Sequence, residues 1–154
     1  LGRPARLAPH AIQRRLVETG RFGRKSGRGF YVYSGDHPLP AVAASRRSFE
    51  LAPKLQDAVR RFASAATDVA GSLTEQVVLS RVLAAIINEA AHAAEENVAT
   101  PADIDTAMKL GTNYPHGPIE WCERIGRHTC AGLLRALDAQ AGDGRFTPAA
   151  WLVV

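Results

Sequence analysis

Cysteine is scarce. The chain carries two in 154 residues, too few for a disulfide framework, so its stability has to come from a core and the chain suits a reducing compartment. No charged stretch followed by an apolar run of about 7–15 residues stands near Leu1, so the pattern of a secretory signal is missing and the cytoplasm is the expected location. Long apolar runs are missing too. The most apolar stretch, from Val77 to Ala94, is broken by Arg81, Asn88 and Glu89 well short of the roughly 18 uninterrupted residues that a membrane span needs. No strand–Gly-x-Gly-x-x-Gly–helix unit occurs, which leaves this chain without a dinucleotide-binding loop. A metal set is equally hard to draw. Cys122, His128 and Cys130, with His116, come nearest, but seven residues separate the cysteines, which is not ligand-pair spacing, and Cys130 falls on the apolar face of its helix. Two buried structural thiols and no metal is the reading.

What is present suffices for one ordinary core: 46% of the residues are hydrophobic and 22% charged, which suits one compact domain plus an appendage rather than a disordered chain. The charge is uneven. Residues 1–28 hold eight basic groups against one acid, a balance of +7, while the remaining eleven bases and fourteen acids leave −3. A solvated basic face is the plain interpretation of such a run, with an anionic ligand or partner and nucleic acid as alternatives. Nucleic acid fits less well, because apart from Phe22 the segment has no interleaved aromatic rings and the helical sequence has no groove-reading motif.

The glycine-rich stretch within that basic run, Gly20-Arg21-Phe22-Gly23-Arg24-Lys25-Ser26-Gly27, looks superficially like a phosphate loop. Lys25-Ser26 follow Arg24 and not glycine, however, and the order is wrong: a helix from about Pro9 to Thr19 precedes the glycines and the extended piece Phe30-Tyr31-Val32-Tyr33 follows them, whereas a phosphate loop runs strand, glycines, helix. Positive φ and close backbone packing are the expected uses of these glycines.

Further on, start and stop signals fall in a consistent order. Pro53 opens an amphipathic helix carrying Leu55, Val59, Phe62 and Ala66. Ser72-Leu73-Thr74-Glu75 has capping-box spacing, so a long helix is expected from Ser72 to about Glu96. Its apolar positions fill two adjoining stripes, Val78, Val82, Ile86, Ala90 and Leu79, Leu83, Ile87, Ala94, which predicts a central helix contacted on two sides. Thr100-Pro101-Ala102-Asp103 starts the next helix and Gly111 is expected to stop it; Gly117-Pro118 opens another, with Gly126 at its end. Cys130, Leu133, Leu134 and Leu137 mark one face of a last helix, which Gly142-Asp143-Gly144 breaks. Within these helices, Asn88 and Glu89 invite reading as a proton-transfer pair, but burial demands partners with or without catalysis, and tying down the loop from Thr112 to Gly117 is the expected use. Asp103 and Asp105 read as first-turn carboxylates, not as an acid/base pair.

The run from Asn88-Glu89-Ala90 through Asp103-Ile104-Asp105 to Gly111-Thr112-Asn113-Tyr114-Pro115-His116-Gly117-Pro118 resembles the C-terminal helical domain of the 3-hydroxyacyl-CoA dehydrogenases, most closely the 3-hydroxybutyryl-CoA type. Gly23-Arg24-Lys25-Ser26-Gly27-Arg28-Gly29-Phe30-Tyr31 is similar to the segment that closes such a domain. The resemblance implies an all-α fold, with residues 1–35 as the tail of a preceding helical copy, 36–71 as a linker plus an amphipathic helix, and 72–154 as most of a second copy. The chain reads as truncated at both ends, a piece of a longer enzyme.

The resemblance also implies the chemistry. The parent reaction passes hydride between the 3-hydroxyl carbon of an acyl-CoA and NAD in fatty-acid metabolism, and both NAD and the histidine–glutamate pair belong to a preceding Rossmann domain, so no catalytic residue and no bound NAD are expected in this chain. The family's substrate-binding asparagine, directly before an arginine, falls on Ser80 before Arg81. Serine has a shorter reach and a single donor, which counts against direct catalysis by this copy. Ser80, Arg81 and Asn113 are the substrate-binding candidates that the resemblance supplies, and Arg24, Lys25 and Arg28 the candidates for a CoA phosphate. Gly111, Pro115, Gly117 and Pro118 form a structural turn. The expected partners are an acyl-CoA and either a second subunit or a tandem domain copy. Rival readings are a non-catalytic CoA-ester binding or scaffold module and a basic nucleic-acid-binding protein.

Overall fold

At the head of the long helix, Ser72 and Glu75 close the reciprocal bonds that their spacing predicts. The Glu75 amide donates to the Ser72 hydroxyl at 3.3 Å and the Glu75 carboxylate accepts from the Ser72 amide at 2.7 Å, which satisfies two of the donors a helix start leaves open. In the computed structural model, which describes residues 5–35, 37–41, 50–68 and 71–153, this helix is the longest element. The chain divides into two compact units, Leu1–Glu50 and Leu51–Val154.

In the first unit α1 (Ala11–Glu18) is capped by His10, whose ring nitrogen accepts from the Ile12 amide at 3.3 Å while Gln13 accepts from the His10 amide at 3.0 Å. A glycine turn follows. A side chain on Gly29 would bring its Cβ within 2.9 Å of the Gly23 Cα, so the two backbone segments approach as closely as only glycine allows. Beyond it β1 (Tyr31–Val32) pairs antiparallel with β2 (Leu39–Pro40), Tyr31 opposite Pro40 and Val32 opposite Leu39. The order is helix, glycines, strand, which is not the order of a phosphate loop. The hairpin reaches beyond residue 35, into the stretch expected to be linker.

The second unit is helical: α2 (Pro53–Ala66), α3 (Leu73–Glu95), α4 (Pro101–Thr112), α5 (Pro118–Ile125), α6 (Arg127–Ala141) and a closing 3-10 turn at Ala150–Leu152. The fold is all-α, as the resemblance implied. Leu55, Val59 and Phe62 of α2 pack into a core built with α3 and α6, and burying a side chain of this size stabilises the unit by about 1.5–3 kcal/mol. Helix α3 is long and apolar enough to cross a membrane by length and composition, but Leu83, Ala84, Ile87 and Ala91 are its contribution to this core.

Three expectations need correction. Gly111 does not stop α4, which runs to Thr112; Asn113 ends it in the left-handed conformation at φ 56°. Asparagine tolerates that region because its short side chain bonds locally. The two apolar stripes of α3 are not equally covered, since Leu83 and Ile87 are buried while Val78 and Val82 stay 58% and 55% exposed. Ala90, further along the first stripe, is buried, so the uncovered part is the N-terminal half of that stripe. Asn88, finally, does not tie down residues 112–117. It lies on the flank facing the C-terminal strap, where its amide donates to the Thr147 carbonyl at 3.0 Å and its oxygen accepts from the Ala149 amide at 2.9 Å.

The cap at Ser72 yields a prediction. Hydrogen bonds from the Ser72 side chain and backbone hold the Glu75 carboxyl below its ordinary 4.5, so this contribution to stability is present above that value and is lost as pH falls through the lowered one. Ser72→Ala is expected to cost about 0.5–2 kcal/mol near neutral pH. In urea melts the loss should shrink once the pH drops below 4.5; a midpoint unchanged at neutral pH would show that the cap does not hold the helix.

Candidate functional site

The turn between α4 and α5 is organised by one carboxylate. Gly117, the N-cap of α5, has no side chain with which to accept from the first-turn amides. Asp105 of α4 does so in its place: Oδ1 accepts from the Ile119 amide at 2.8 Å and Oδ2 from the Glu120 amide at 3.0 Å. A Cβ on Gly117 would fall on the Asp105 carboxyl group, so the glycine is needed for space; its backbone, at φ −71°, is one that any residue adopts. Asp105 is 7% exposed. It is therefore no ordinary first-turn carboxylate of α4, the role its position suggested, but the borrowed cap of α5.

Glu120 completes the arrangement. Its carboxylate accepts from the Gly117 amide at 3.0 Å and from Lys109 Nζ at 2.5 Å, and the bond from Lys109, then that from Gly117, hold it below the usual carboxylate range. Around it Arg124 Nη1 lies 2.6 Å from His116 Nε2. A guanidinium can only donate, so this His116 nitrogen accepts and its Nδ1 side faces Glu120 at 3.9 Å. Trp121 packs against the rings of Tyr114 and His116 at centroid distances of 5.7 and 6.0 Å. Pro118 is buried beneath the turn while Pro115 is exposed.

Within the second unit the candidate ligand residues Ser80 and Arg81 face different neighbours. Ser80 is fully buried, its hydroxyl 3.5 Å from the Val59 carbonyl of α2, so α2 encloses this position. Arg81, one residue on, is exposed and sits over the Phe146 ring at 5.0 Å. Asn113 is exposed at the end of α4. In the first unit Arg24, Lys25 and Arg28 are all exposed around the glycine turn; Arg24 lies over Tyr33 at 5.5 Å, and the Ser26 hydroxyl accepts from the Phe22 amide at 2.8 Å. Cys122 and Cys130 are both fully buried in the core. Their shared hydrogen bond lowers the Cys122 thiol and, with burial, pushes the Cys130 thiol up; both are sealed from solvent in the core. Among the described residues no group of three or more His, Cys, Asp or Glu side chains is placed to hold a metal ion.

Sequence reasoning assigned Asp105 to its own helix rather than to α5, and missed Glu120 and Lys109. Glu120 was within reach, because Gly-Pro followed by a carboxylate at the third helical position is half of a capping box.

A five-helix unit built around one long helix, with the turn between two of its helices held by a borrowed carboxylate, is an all-α helical domain. The family described as 3-hydroxyacyl-CoA dehydrogenase, C-terminal domain, matches residues 77–154, and the chain belongs to it. The 3-hydroxyadipyl-CoA dehydrogenase of Escherichia coli (strain K12) is 42% identical over 76 residues, which is 49% of this chain and 16% of that protein. The probable 3-hydroxybutyryl-CoA dehydrogenase of Bacillus subtilis (strain 168) is 42% identical over 71 residues, 46% of this chain and 25% of that protein. A fatty acid oxidation complex subunit alpha of Psychrobacter cryohalolentis aligns over 133 residues at 30% identity, 81% of this chain and 17% of that protein. The crystal structure of 3-hydroxybutyryl-CoA dehydrogenase from Escherichia coli K12 superposes with a TM-score of 0.60 at 26% identity, covering 96% of this chain and 44% of the other. This chain thus spans no more than a quarter of these curated relatives.

The borrowed cap is testable. Asp105→Ala leaves the buried Ile119 amide and the half-buried Glu120 amide without their acceptor and is expected to cost about 1–3 kcal/mol for the first and less for the second. Adding Gly117→Ser to that variant places a hydroxyl where the carboxylate stood and should recover part of the loss, whereas Gly117→Ser alone should destabilise by overlap. Urea denaturation of the four proteins decides; a Gly117→Ser variant as stable as the unaltered chain would refute the overlap.

Proposed function

We propose that this chain is the substrate-side and assembly part of an NAD-dependent 3-hydroxyacyl-CoA dehydrogenase, which interconverts 3-hydroxyacyl-CoA and 3-oxoacyl-CoA in fatty-acid metabolism in the cytoplasm. The observation that carries the reading is the family match over residues 77–154, together with relatives named as 3-hydroxyadipyl-CoA and 3-hydroxybutyryl-CoA dehydrogenases. Residues 1–35 are the tail of a preceding helical copy and 72–154 most of a second copy. Alignment of 81% of this chain with one polypeptide, the fatty acid oxidation subunit, supports placing both segments in one protein.

The residues described do not fit NAD. The glycine-rich segment follows a helix and leads into a two-residue antiparallel strand, the reverse of the strand–glycines–helix order that presents amides to a pyrophosphate. No step through the cofactor is assigned to this chain. Its own contribution is binding: Arg24, Lys25 and Arg28 offer a CoA phosphate three cations within five residues, and Asn113 offers a solvent-facing amide. Enclosure of Ser80 by α2 favours, as a second reading, a CoA-ester binding module without catalysis of its own.

Two measurements test this. The chain alone, mixed with 3-hydroxybutyryl-CoA and NAD, is expected to give no absorbance at 340 nm, while the protein encoded by its entire open reading frame should give it; an inactive whole protein would leave the binding module as the better description. In calorimetry CoA should bind the chain more tightly than dephospho-CoA, by about tenfold, and replacing Arg24, Lys25 and Arg28 by alanine should erase the difference. Equal affinities for the two ligands would exclude these cations as the phosphate site.

A further inference from the structure

Helix α6 carries a glycine that the packing of its unit does not call for. Gly132 sits in the interior of the helix, where glycine is destabilising relative to alanine. A Cβ built there would meet nothing within 4 Å, and no positive φ requires the residue. What Gly132 does is open a groove. It lines a cavity of about 330 Å³ between α6 and α2, at the lower end of the volumes that hold small organic ligands.

The walls limit what such a ligand can be. Ala58 of α2 and Ala136 of α6 line the cavity with Gly132, and lining residues this small leave an even surface that a planar ring can contact closely. Lys54, Asp57 and Arg61 share the α2 face of Ala58 at spacings of three and four residues; all three line the same cavity and are exposed. Among the described residues none of them forms an ion pair, and Arg61 makes only a long bond of 3.5 Å to the Asp57 carbonyl. Two cations with donors to spare suit a phosphate monoester, which charge-assisted hydrogen bonds hold firmly. A bare anion does not suit the groove, because Asp57 repels it. An ionised carboxylate can only accept, so the ligand also has to bring donors, as the hydroxyls of a ribose do. Ring, hydroxyl donors and phosphate together describe a nucleotide. We propose that the groove between α2 and α6 binds a nucleoside monophosphate, its phosphate at Lys54 and Arg61, its sugar hydroxyls at Asp57 and its base against Ala58, Gly132 and Ala136. The site lies within the second unit, uses none of the cations assigned above to a CoA phosphate, and stands whether or not the chain handles acyl-CoA.

Calorimetry with adenosine 5′-monophosphate (AMP) tests the groove. AMP should bind the chain at least about tenfold more tightly than adenosine or inorganic phosphate, since each of these lacks part of what the walls engage. Replacing Lys54 and Arg61 together by alanine should weaken AMP by about tenfold or more and leave adenosine unchanged, while Asp57→Ala should erase the preference for AMP over its 2′,3′-dideoxy analogue. Gly132 separates shape from charge. Gly132→Ala should raise the urea midpoint, and Gly132→Met, which fills the groove, should abolish AMP binding while circular dichroism shows the helices intact. Replacing Arg24, Lys25 and Arg28 by alanine should leave AMP affinity within about twofold, so that failure of the CoA assignment and failure of this one are told apart. The proposal is overturned if millimolar AMP does not bind, if phosphate binds as tightly as AMP, if AMP affinity is unchanged in a folded Gly132→Met variant, or if AMP binding is lost with the three cations of the first unit.

Discussion

The turn between α4 and α5 depends on one constraint: the Asp105 carboxyl group occupies the space a side chain on Gly117 would need. Each residue makes sense only with the other. Without the glycine the carboxylate cannot reach the amides of Ile119 and Glu120, and without the carboxylate the glycine leaves α5 uncapped. Because the two groups belong to different helices, this cap fixes a tertiary angle as well as a helix end. Glu120, held by Lys109 of α4, repeats the tie on the solvent side, where the exposure of both partners limits its value. The buried tie therefore dominates.

A second anchor of the same kind holds the other end of the unit. Asn88 offers both halves of its amide to the backbone of the strap, to the Thr147 carbonyl and the Ala149 amide, and Glu95 accepts from the Ala150 amide at 3.1 Å. Asp138 accepts from the Phe146 amide at 3.1 Å, so strap and preceding loop are fixed from two helices. Irregular backbone laid over a core must have its polar groups satisfied somewhere. Here side chains from α3 and α6 supply the partners, which lets Phe146, Ala149 and Leu152 join the core without strands or further helices.

Local signals were the legible part of this fold. Ser72, Thr100, Pro53, Pro101, Pro118 and Gly126 all mark helix boundaries where they were read, because a cap or a proline acts on residues within one turn of itself. Long-range partners were not legible. Asp105 acts on amides fourteen and fifteen residues away, and Asn88 on atoms about sixty residues away; nothing in the spacing of either names its target. The misjudged end of α4 has a smaller cause, since glycine and asparagine both tolerate left-handed backbone and the sequence offers one of each, Gly111 and Asn113, two residues apart. Periodicity measured the width of the apolar surface on α3 correctly, yet periodicity is silent about which stripe this unit itself covers.

The same distinction bears on what the family resemblance conveys. Three of its most recognisable residues have duties that the fold accounts for completely: Asn88 clasps the strap, Asp105 caps α5, and Gly117 makes room for Asp105. None of them needs a ligand to explain its chemistry. The resemblance at these positions therefore carries the architecture of the domain with great force and the reaction with little. Ser80 and Arg81 show why the difference matters: neighbours on one helix, they turn to opposite surroundings, the hydroxyl sealed against Val59 and the guanidinium out over Phe146. A ligand approaching the described surface of this unit meets the second and not the first. The exposed groups, Arg81 and Asn113 among them, are what this described surface offers to solvent, whereas the residues that make the domain recognisable are occupied in holding it together.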